Sequence, residues 1–310
     1  MIGFVFKGLP DNVEDWRREL LARIPELDMR VWPEIGDPDT VDVALMWRAP
    51  HGEFGRYPNL KAILNLGVGV DTLFHDPDLP RDIPIARMVD PTLNQLMATY
   101  VLHAVIGYHR GFATFAERQK TREWIYQRPP LNARCRVGIM GLGVIGTDIA
   151  RTLLSLGFTV SGWSRRPKEV EGVTTFAGAD EMKAFLGQSD ILVCILPLTE
   201  ATRGMLDAEA FAALPRGAKI VNIARGAVVD EAALLDALDS GQVGGATLDV
   251  FATEPLPQDS RFWTHPSVTV TPHIAASTTP ATAADQVAEN IRRACAGKPL
   301  LNQVDLASGY

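Results

Sequence analysis

The sequence predicts an α/β protein of two domains, each built on a mostly parallel sheet. Short apolar runs alternate with helix-period stretches along the chain, with Pro or Gly between them. The length of 310 residues is enough for two domains at roughly 100–200 residues each. The third observation is the stretch Arg136-Val-Gly-Ile-Met-Gly-Leu-Gly-Val-Ile-Gly146, a buried strand running into Gly141, Gly143 and Gly146 at G-x-G-x-x-G spacing and then into a helix.

Taken in order, Ile2 to Phe6 reads as a strand, and Val13 to Ile24 as a helix with Val13, Trp16, Leu20 and Ile24 on one side, closed by Pro25. Apolar runs at Met29 to Trp32, Val41 to Trp47 and Leu60 to Leu66 give further strands. From about Pro91 to Gln119 the spacing predicts one long helix, whose apolar band holds Leu93, Leu96, Met97, Tyr100, Val101, Ala104, Val105 and Tyr108. Arg118 to Arg136 reads as an exposed, basic, Pro-containing arm. After the glycine loop the helix Val144 to Leu156 presents Ile145, Ile149, Leu153 and Leu156 to the sheet and stops at Gly157, and Phe158 to Trp163 is the next strand. Strands at Ile191 to Leu196, Lys219 to Ile223, Gly245 to Val250 and Val268 to Thr271 then alternate with helices at Ala208 to Leu214, Glu231 to Ser240 and Thr279 to Ala296.

Composition narrows the class. Hydrophobic residues at 46% and charged ones at 22% are ordinary for a globular protein, and no apolar run reaches the roughly 18 residues of a membrane helix. A net charge of −7 argues against nucleic acid as a partner. Cys135, Cys194 and Cys295 form no C-x-x-C pair, so no disulfide framework and no zinc site is indicated. Met1 to Phe6 lacks the charged start and long apolar stretch of a signal peptide, and the expected location is the cytoplasm.

Each glycine of the loop has its own task. Gly141 allows the turn off the strand, Gly143 admits a pyrophosphate to the backbone, and Gly146 lets the helix pack closely, while the helix N-terminus points N–H groups at the phosphates. Three later strand ends carry Arg225, Glu254 and His273, and parallel strands deliver all three to one crevice edge. Singly, such residues are ordinarily a solvated cation, a loop charge and a satisfied histidine. Together beside a dinucleotide loop they suit hydride transfer to a 2-oxo acid, with His273 as proton donor and Arg225 as a planar fork for the substrate carboxylate. Glu254 is the partner, since a carboxylate beside an imidazole favours the imidazolium and fixes its orientation.

The second nucleotide-domain strand ends in Gly162-Trp-Ser-Arg-Arg-Pro167, where an NAD site normally carries an acidic residue. Ser164, Arg165 and Arg166 instead suit a 2′-phosphate, which predicts a preference for NADPH over NADH.

The glycine loop, Asn222-Ile-Ala-Arg-Gly226, Leu248-Asp-Val-Phe-Ala-Thr-Glu-Pro-Leu256 and Thr271-Pro-His-Ile-Ala275 together resemble the D-isomer-specific 2-hydroxyacid dehydrogenases over essentially the whole chain. Trp47 before Arg48-Ala-Pro50, Leu66-Gly-Val-Gly-Val-Asp71, Cys194-Ile-Leu-Pro197 and the tail 303–310 resemble the bacterial branch that reduces glyoxylate and hydroxypyruvate. The resemblance implies two Rossmann-like domains: a doubly wound NAD(P)-binding domain, residues 99–274, inserted into a smaller flavodoxin-like substrate domain, residues 1–98 and 275–310. It implies a homodimer packed through the long helix. It also implies that the cofactor lies along Gly141, Leu142, Gly143, Val144, Ile145 and Gly146, at Ser164, Arg165 and Arg166, and along Leu196, Pro197, Thr202, Ile223, Ala224 and Arg225. Asp249, His273 and Ala275 complete that set, Asp249 at the nicotinamide amide. The 2-oxo acid is expected against Trp47, Val68, Gly69, Arg225 and His273, without a metal. Thr99 departs from the Glu expected in the long helix, which bears on hinge or dimer contacts and not on the chemistry. A broader reductase of phenylpyruvate or pyruvate, and a nucleotide-sensing scaffold, are the competing readings.

Overall fold

The structure, a computed structural model, describes residues 1–8 and 12–305; of the tail 303–310, residues 306–310 lie outside the described residues. In chain order the elements are β1 (Ile2–Lys7), α1 (Val13–Arg23), β2 (Leu27–Val31), β3 (Val43–Met46), β4 (Ala62–Asn65), α2 (Asp71–Phe74), β5 (Ile85–Ala86), α3 (Pro91–Arg110) and α4 (Phe112–Thr121). There follow β6 (Arg136–Met140), α5 (Val144–Ser155), β7 (Thr159–Ser164), β8 (Thr174–Ala177), α6 (Gly178–Leu186), β9 (Ile191–Cys194), α7 (Ala208–Ala213), β10 (Ala218–Asn222), α8 (Glu231–Asp239), β11 (Val243–Leu248), β12 (Val268–Val270) and α9 (Pro280–Cys295). The chain separates into two compact units, one of Met1–Leu93 with the chain from Ser277 onward, the other Asn94–Ala276.

The first unit holds a parallel sheet in the order β2-β1-β3-β4-β5, the flavodoxin-type order. Its inner strands β1, β3 and β4 are apolar runs because both faces are covered, whereas edge strand β2 alternates Leu27, Met29 and Val31 with Asp28 and Arg30. Phe4, Phe6 and Leu45 face a cluster with Trp16 and Leu20 of α1 and Val287 and Ile291 of α9, whereas Val5, Ala44, Met46 and Ile63 face Phe54, Tyr57 and Leu73. In this sheet the chain reverses direction of winding between β1 and β3, so the loops after those strands flank the position where such folds bind ligands.

The second unit holds a seven-stranded parallel sheet, order β12-β11-β10-β9-β6-β7-β8. From β6 the chain winds out through β7 to β8, then returns to place β9 on the other side of β6. The switch point therefore lies between β6 and β9, beside the glycine loop. One face of the sheet is sealed by Phe185, Phe211, Leu234 and Leu238 packed over Leu192, Ile220 and Leu248.

Three expectations are corrected. The long helix does not run to Gln119: Gly111, at φ +64°, takes the left-handed conformation that ends α3, and α4 starts afresh with no buried residue. Leu96 is 38% exposed rather than part of the buried band, which consists of Leu93, Met97, Ala98, Val101, Ala104 and Val105. Leu156 is 44% exposed, because α5 ends at Ser155 and the cap residue no longer follows the helical stripe. Thr99 is exposed on α3 and its hydroxyl donates locally to the Leu96 carbonyl at 2.8 Å. Edge strand β8 and helix α6 are additions to the sequence reading.

Candidate active site

The glycine loop is shaped by close contacts. Gly141 has φ +119°, and a Cβ there would stand 2.9 Å from the Ile195 carbonyl oxygen. A Cβ at Gly146 would stand 1.9 Å from the Gly141 oxygen, so α5 approaches the turn at a distance only glycine allows. Gly143 differs: nothing lies within 4 Å of where its Cβ would be. That open backbone at the N-terminus of α5 is the cradle a pyrophosphate needs, and the residues present fit a dinucleotide. Val144 and Gly143 are exposed, Ile145 is half-buried and Leu142 is buried, while Lys168 Nζ donates to the Leu142 carbonyl.

At the end of β7, Ser164 Oγ donates to the Arg166 carbonyl at 2.7 Å, which commits the hydroxyl hydrogen to the turn and leaves Arg165 and Arg166 as its exposed cations. After β9, Thr202 Oγ1 donates to the Pro197 carbonyl at 2.7 Å and accepts from Thr199 N–H at 2.8 Å, which ties that loop in one place. Leu196, Ile223, Ala224 and Ala275 are buried.

Arg225, Glu254 and His273 follow β10, β11 and β12 at the same edge of this unit. Asn222, buried at the end of β10, accepts from Ala224 N–H at 3.1 Å and donates to the Arg225 carbonyl at 3.3 Å, folding the Arg225 loop back on its own strand. Arg225 Nη1 also donates to the Ala224 carbonyl. Gly226 is required next to it, since a Cβ there would lie 1.8 Å from the Phe251 carbonyl carbon. On that neighbouring loop Glu254 Oε1 accepts from Phe251 N–H at 3.0 Å, which turns Oε2 to His273 Nδ1 at 2.9 Å. A carboxylate at Nδ1 assigns that nitrogen the hydrogen and leaves Nε2 as the second donor of the imidazolium. Both side chains are mostly buried, at 25% and 16% exposure.

Asp249 is the buried anchor of the histidine loop. Its carboxylate accepts from Thr271 Oγ1, Ile274 N–H and Ala275 N–H at 2.6, 2.8 and 2.9 Å, and its carbonyl from His273 N–H at 2.8 Å. These bonds hold His273 at φ +58°, a conformation that costs an L-residue about 1–2 kcal/mol.

In the first unit, Asn65 Nδ2 donates to the carbonyls of Gly67 and Gly69, both at 2.8 Å. The trans peptide therefore sends Val68 N–H away from Asn65; the Gly69 N–H is not set by this clamp. The Trp47 ring rests on the same turn, close enough that a Cβ at Gly67 would meet Cζ3 at 2.3 Å. Lys7 Nζ donates to the carbonyls of Trp47 and Arg48, each at 2.9 Å, and Arg48 lies over the Trp47 ring at φ +51°. Burial, then the Arg48 charge, pull the Lys7 ammonium below its usual range. Asn65, Asn222 and Lys7 are positioning groups to which the sequence reading gives no role, although Asn222 opens one of its motifs. Asn65 and Asn222 end apolar strands, where a buried amide is the one available signal.

A parallel sheet with a glycine loop at its switch point, and an Arg, Glu and His on adjoining strand ends, defines a dinucleotide-dependent oxidoreductase. The sequence profile described as "D-isomer specific 2-hydroxyacid dehydrogenase, NAD binding domain" matches residues 102–275. The chain is 42% identical to a glyoxylate/hydroxypyruvate reductase A of Serratia proteamaculans over 96% of this chain and 97% of that one. It is similar to the crystal structure of a D-isomer specific 2-hydroxyacid dehydrogenase from Xanthobacter autotrophicus Py2 in complex with NADPH and MES, with 49% identity, TM-score 0.93 and 99% of each chain covered. An NADPH-dependent glyoxylate/hydroxypyruvate reductase from Sinorhizobium meliloti, crystallised with NADP and sulfate, is 38% identical with TM-score 0.92 over 100% of both chains. The chain belongs to the D-isomer-specific 2-hydroxyacid dehydrogenase family.

Proposed function

We propose that this protein is an NADPH-preferring reductase of small 2-oxo acids, converting glyoxylate to glycolate and hydroxypyruvate to D-glycerate. The observation that carries the reading is the 2.9 Å contact between His273 Nδ1 and Glu254 Oε2 at the strand edge that also bears Arg225. The names of the full-length relatives support the substrate class and the cofactor.

Bound NADPH supplies a hydride to the carbonyl carbon. Arg225 pairs with the substrate carboxylate, with Val68 and Gly69 backbone N–H groups assigned to the same carboxylate. As negative charge grows on the carbonyl oxygen, His273 gives it the Nε2 proton, and the Nδ1 hydrogen bond to Glu254 holds the ring in place throughout. Each turnover consumes one solvent proton, which re-protonates His273. Arg165 and Arg166 take the 2′-phosphate, and Trp47 limits substrate bulk. Asp249 is assigned to the nicotinamide amide through acceptor capacity left beyond the histidine loop.

The reading includes a homodimer. Its support is a run of exposed apolar residues after α3: Phe112, Trp124, Ile125, Tyr126 and Leu131, with Trp124 99% exposed. No described helix is long and apolar enough to cross a membrane, all three cysteines are free, and a cytoplasmic location fits a reductase fed by NADPH.

Steady-state rates on glyoxylate, hydroxypyruvate, pyruvate and phenylpyruvate with each cofactor test the proposal. The first two are expected to give the higher kcat/KM, and NADPH to exceed NADH. Preference for phenylpyruvate would transfer the assignment to the broader reductase, and no turnover of any 2-oxo acid would favour the scaffold.

A further inference from the structure

A second chain of polar contacts in the nucleotide-binding unit also ends on the histidine loop. We propose that Tyr100 is a positioning residue for His273, acting through the hydroxyl of Thr271 and the carboxylate of Asp249. The functional part of this inference rests on the reading above.

Tyr100 stands on α3, 171 residues from its partner in sequence, with its hydroxyl 2.6 Å from Thr271 Oγ1. Thr271 Oγ1 is 2.6 Å from Asp249 Oδ1. An ionised carboxylate only accepts and a threonine hydroxyl has one hydrogen, so that hydrogen goes to Asp249. Tyr100 must then be the donor to Thr271, which gives the relay one direction. Burial pushes the Tyr100 phenol up to about 12, so the donor keeps its hydrogen at any working pH.

The relay ends where it matters. Asp249 carries the backbone N–H groups of His273, Ile274 and Ala275 besides the Thr271 hydroxyl, and these bonds hold the left-handed His273. Tyr100 lies near the start of this unit at Asn94 and Ala275 just before its end at Ala276. One buried aspartate, through its carboxylate and its backbone carbonyl, thus ties both ends of the unit to the loop of the histidine that donates the proton. A displacement of about 1 Å at such a group can cost up to about 10²-fold in rate.

The fold supplies its own control. Two helical turns along α3, Tyr108 makes the same hydroxyl contact to Thr247 of β11 at 2.8 Å, but among the described residues the Thr247 hydroxyl is not hydrogen-bonded to Asp249 or to the histidine loop. If the relay positions His273, Tyr100→Phe lowers kcat about 5–20-fold with the NADPH KM held within about twofold, and Tyr108→Phe leaves kcat unchanged. Hydrogen–deuterium exchange across residues 271–276 reads the same effect without substrate: it accelerates about tenfold in Tyr100→Phe and stays at the wild-type rate in Tyr108→Phe. Thr271→Val reproduces the Tyr100→Phe exchange, the double variant adds nothing to either, and Thr271→Ser, which keeps the hydroxyl, resembles wild type. Unchanged exchange at 271–276 in Tyr100→Phe, or equal losses of rate in the two tyrosine variants, would overturn the proposal. Faster exchange in a protein that turns over no 2-oxo acid would uphold the relay and remove the reductase reading instead.

Discussion

Replacing Gly67 by alanine isolates the contact between Trp47 and the turn assigned to the substrate carboxylate. The added Cβ would stand 2.3, 3.1 and 3.3 Å from Trp47 Cζ3, Cε3 and Cη2, where carbon–carbon contacts settle at roughly 3.5–4.0 Å. Gly67 is not among the positive-φ residues, so the backbone accepts alanine and the whole effect comes from the ring. The ring must retreat by about 1 Å or the turn must lift. Neither is free: Lys7 Nζ pins the carbonyls of Trp47 and Arg48, and Asn65 pins those of Gly67 and Gly69. Overpacking of this kind costs about 1–3 kcal/mol, which as lost substrate binding is a rise of about 5- to 150-fold in KM. Steady-state KM for glyoxylate at saturating NADPH measures it, with a thermal melt to confirm folding. In the background of Trp47→Ala the same glycine substitution should cost little, because its partner is gone. A wild-type KM in Gly67→Ala, or a penalty that persists without Trp47, would refute the reasoning.

Other expectations are separable from this one. Replacing Arg165 and Arg166 together by alanine should raise the NADPH KM at least about tenfold and leave NADH nearly unaffected, since charged hydrogen bonds are worth about 1.5–3 kcal/mol each; equal kcat/KM for the two cofactors in the unmodified enzyme would place the arginines elsewhere. Trp47→Ala should narrow the advantage of glyoxylate over phenylpyruvate by admitting bulk, and a wider gap would show that the ring does not wall the pocket. Far from the site, burial would raise the Asp190 carboxyl, but its bonds to the Arg136 guanidinium and N–H outweigh burial and hold it below its usual range. A depressed carboxyl stabilises above its unfolded value and loses that contribution as pH falls through the folded one. Asp190→Asn should therefore lower the melting temperature at pH 7 by about 2–4 °C, for a partly exposed pair worth about 1 kcal/mol, with the difference closing below about pH 4. A constant difference down to pH 2 would contradict the sign.

The central strands were legible in the sequence because they are buried on both faces and read as short apolar runs with Pro or Gly in the segments between them. The motif residues were legible because strand ends of a parallel sheet gather at one edge whatever the loops do between them. Strand β8 was not, since an edge strand with a single wetted side, Thr174 to Ala177, carries no apolar run. The break at Gly111 was hidden by the helical spacing on both sides of it. The hydrogen-bond clamps of Asn65 and Asn222, and the tyrosine relay, join groups whose approach is decided by tertiary packing. Sequence spacing holds no record of a contact such as Tyr100 with Thr271.

The proton donor is the point at which the account is most exposed. His273→Ala should bind NADPH as tightly as the unmodified protein by fluorescence titration, yet lose kcat for glyoxylate by about 10²-fold or more, because the hydride acceptor then has no poised acid. An unchanged kcat in that variant would contradict the mechanism.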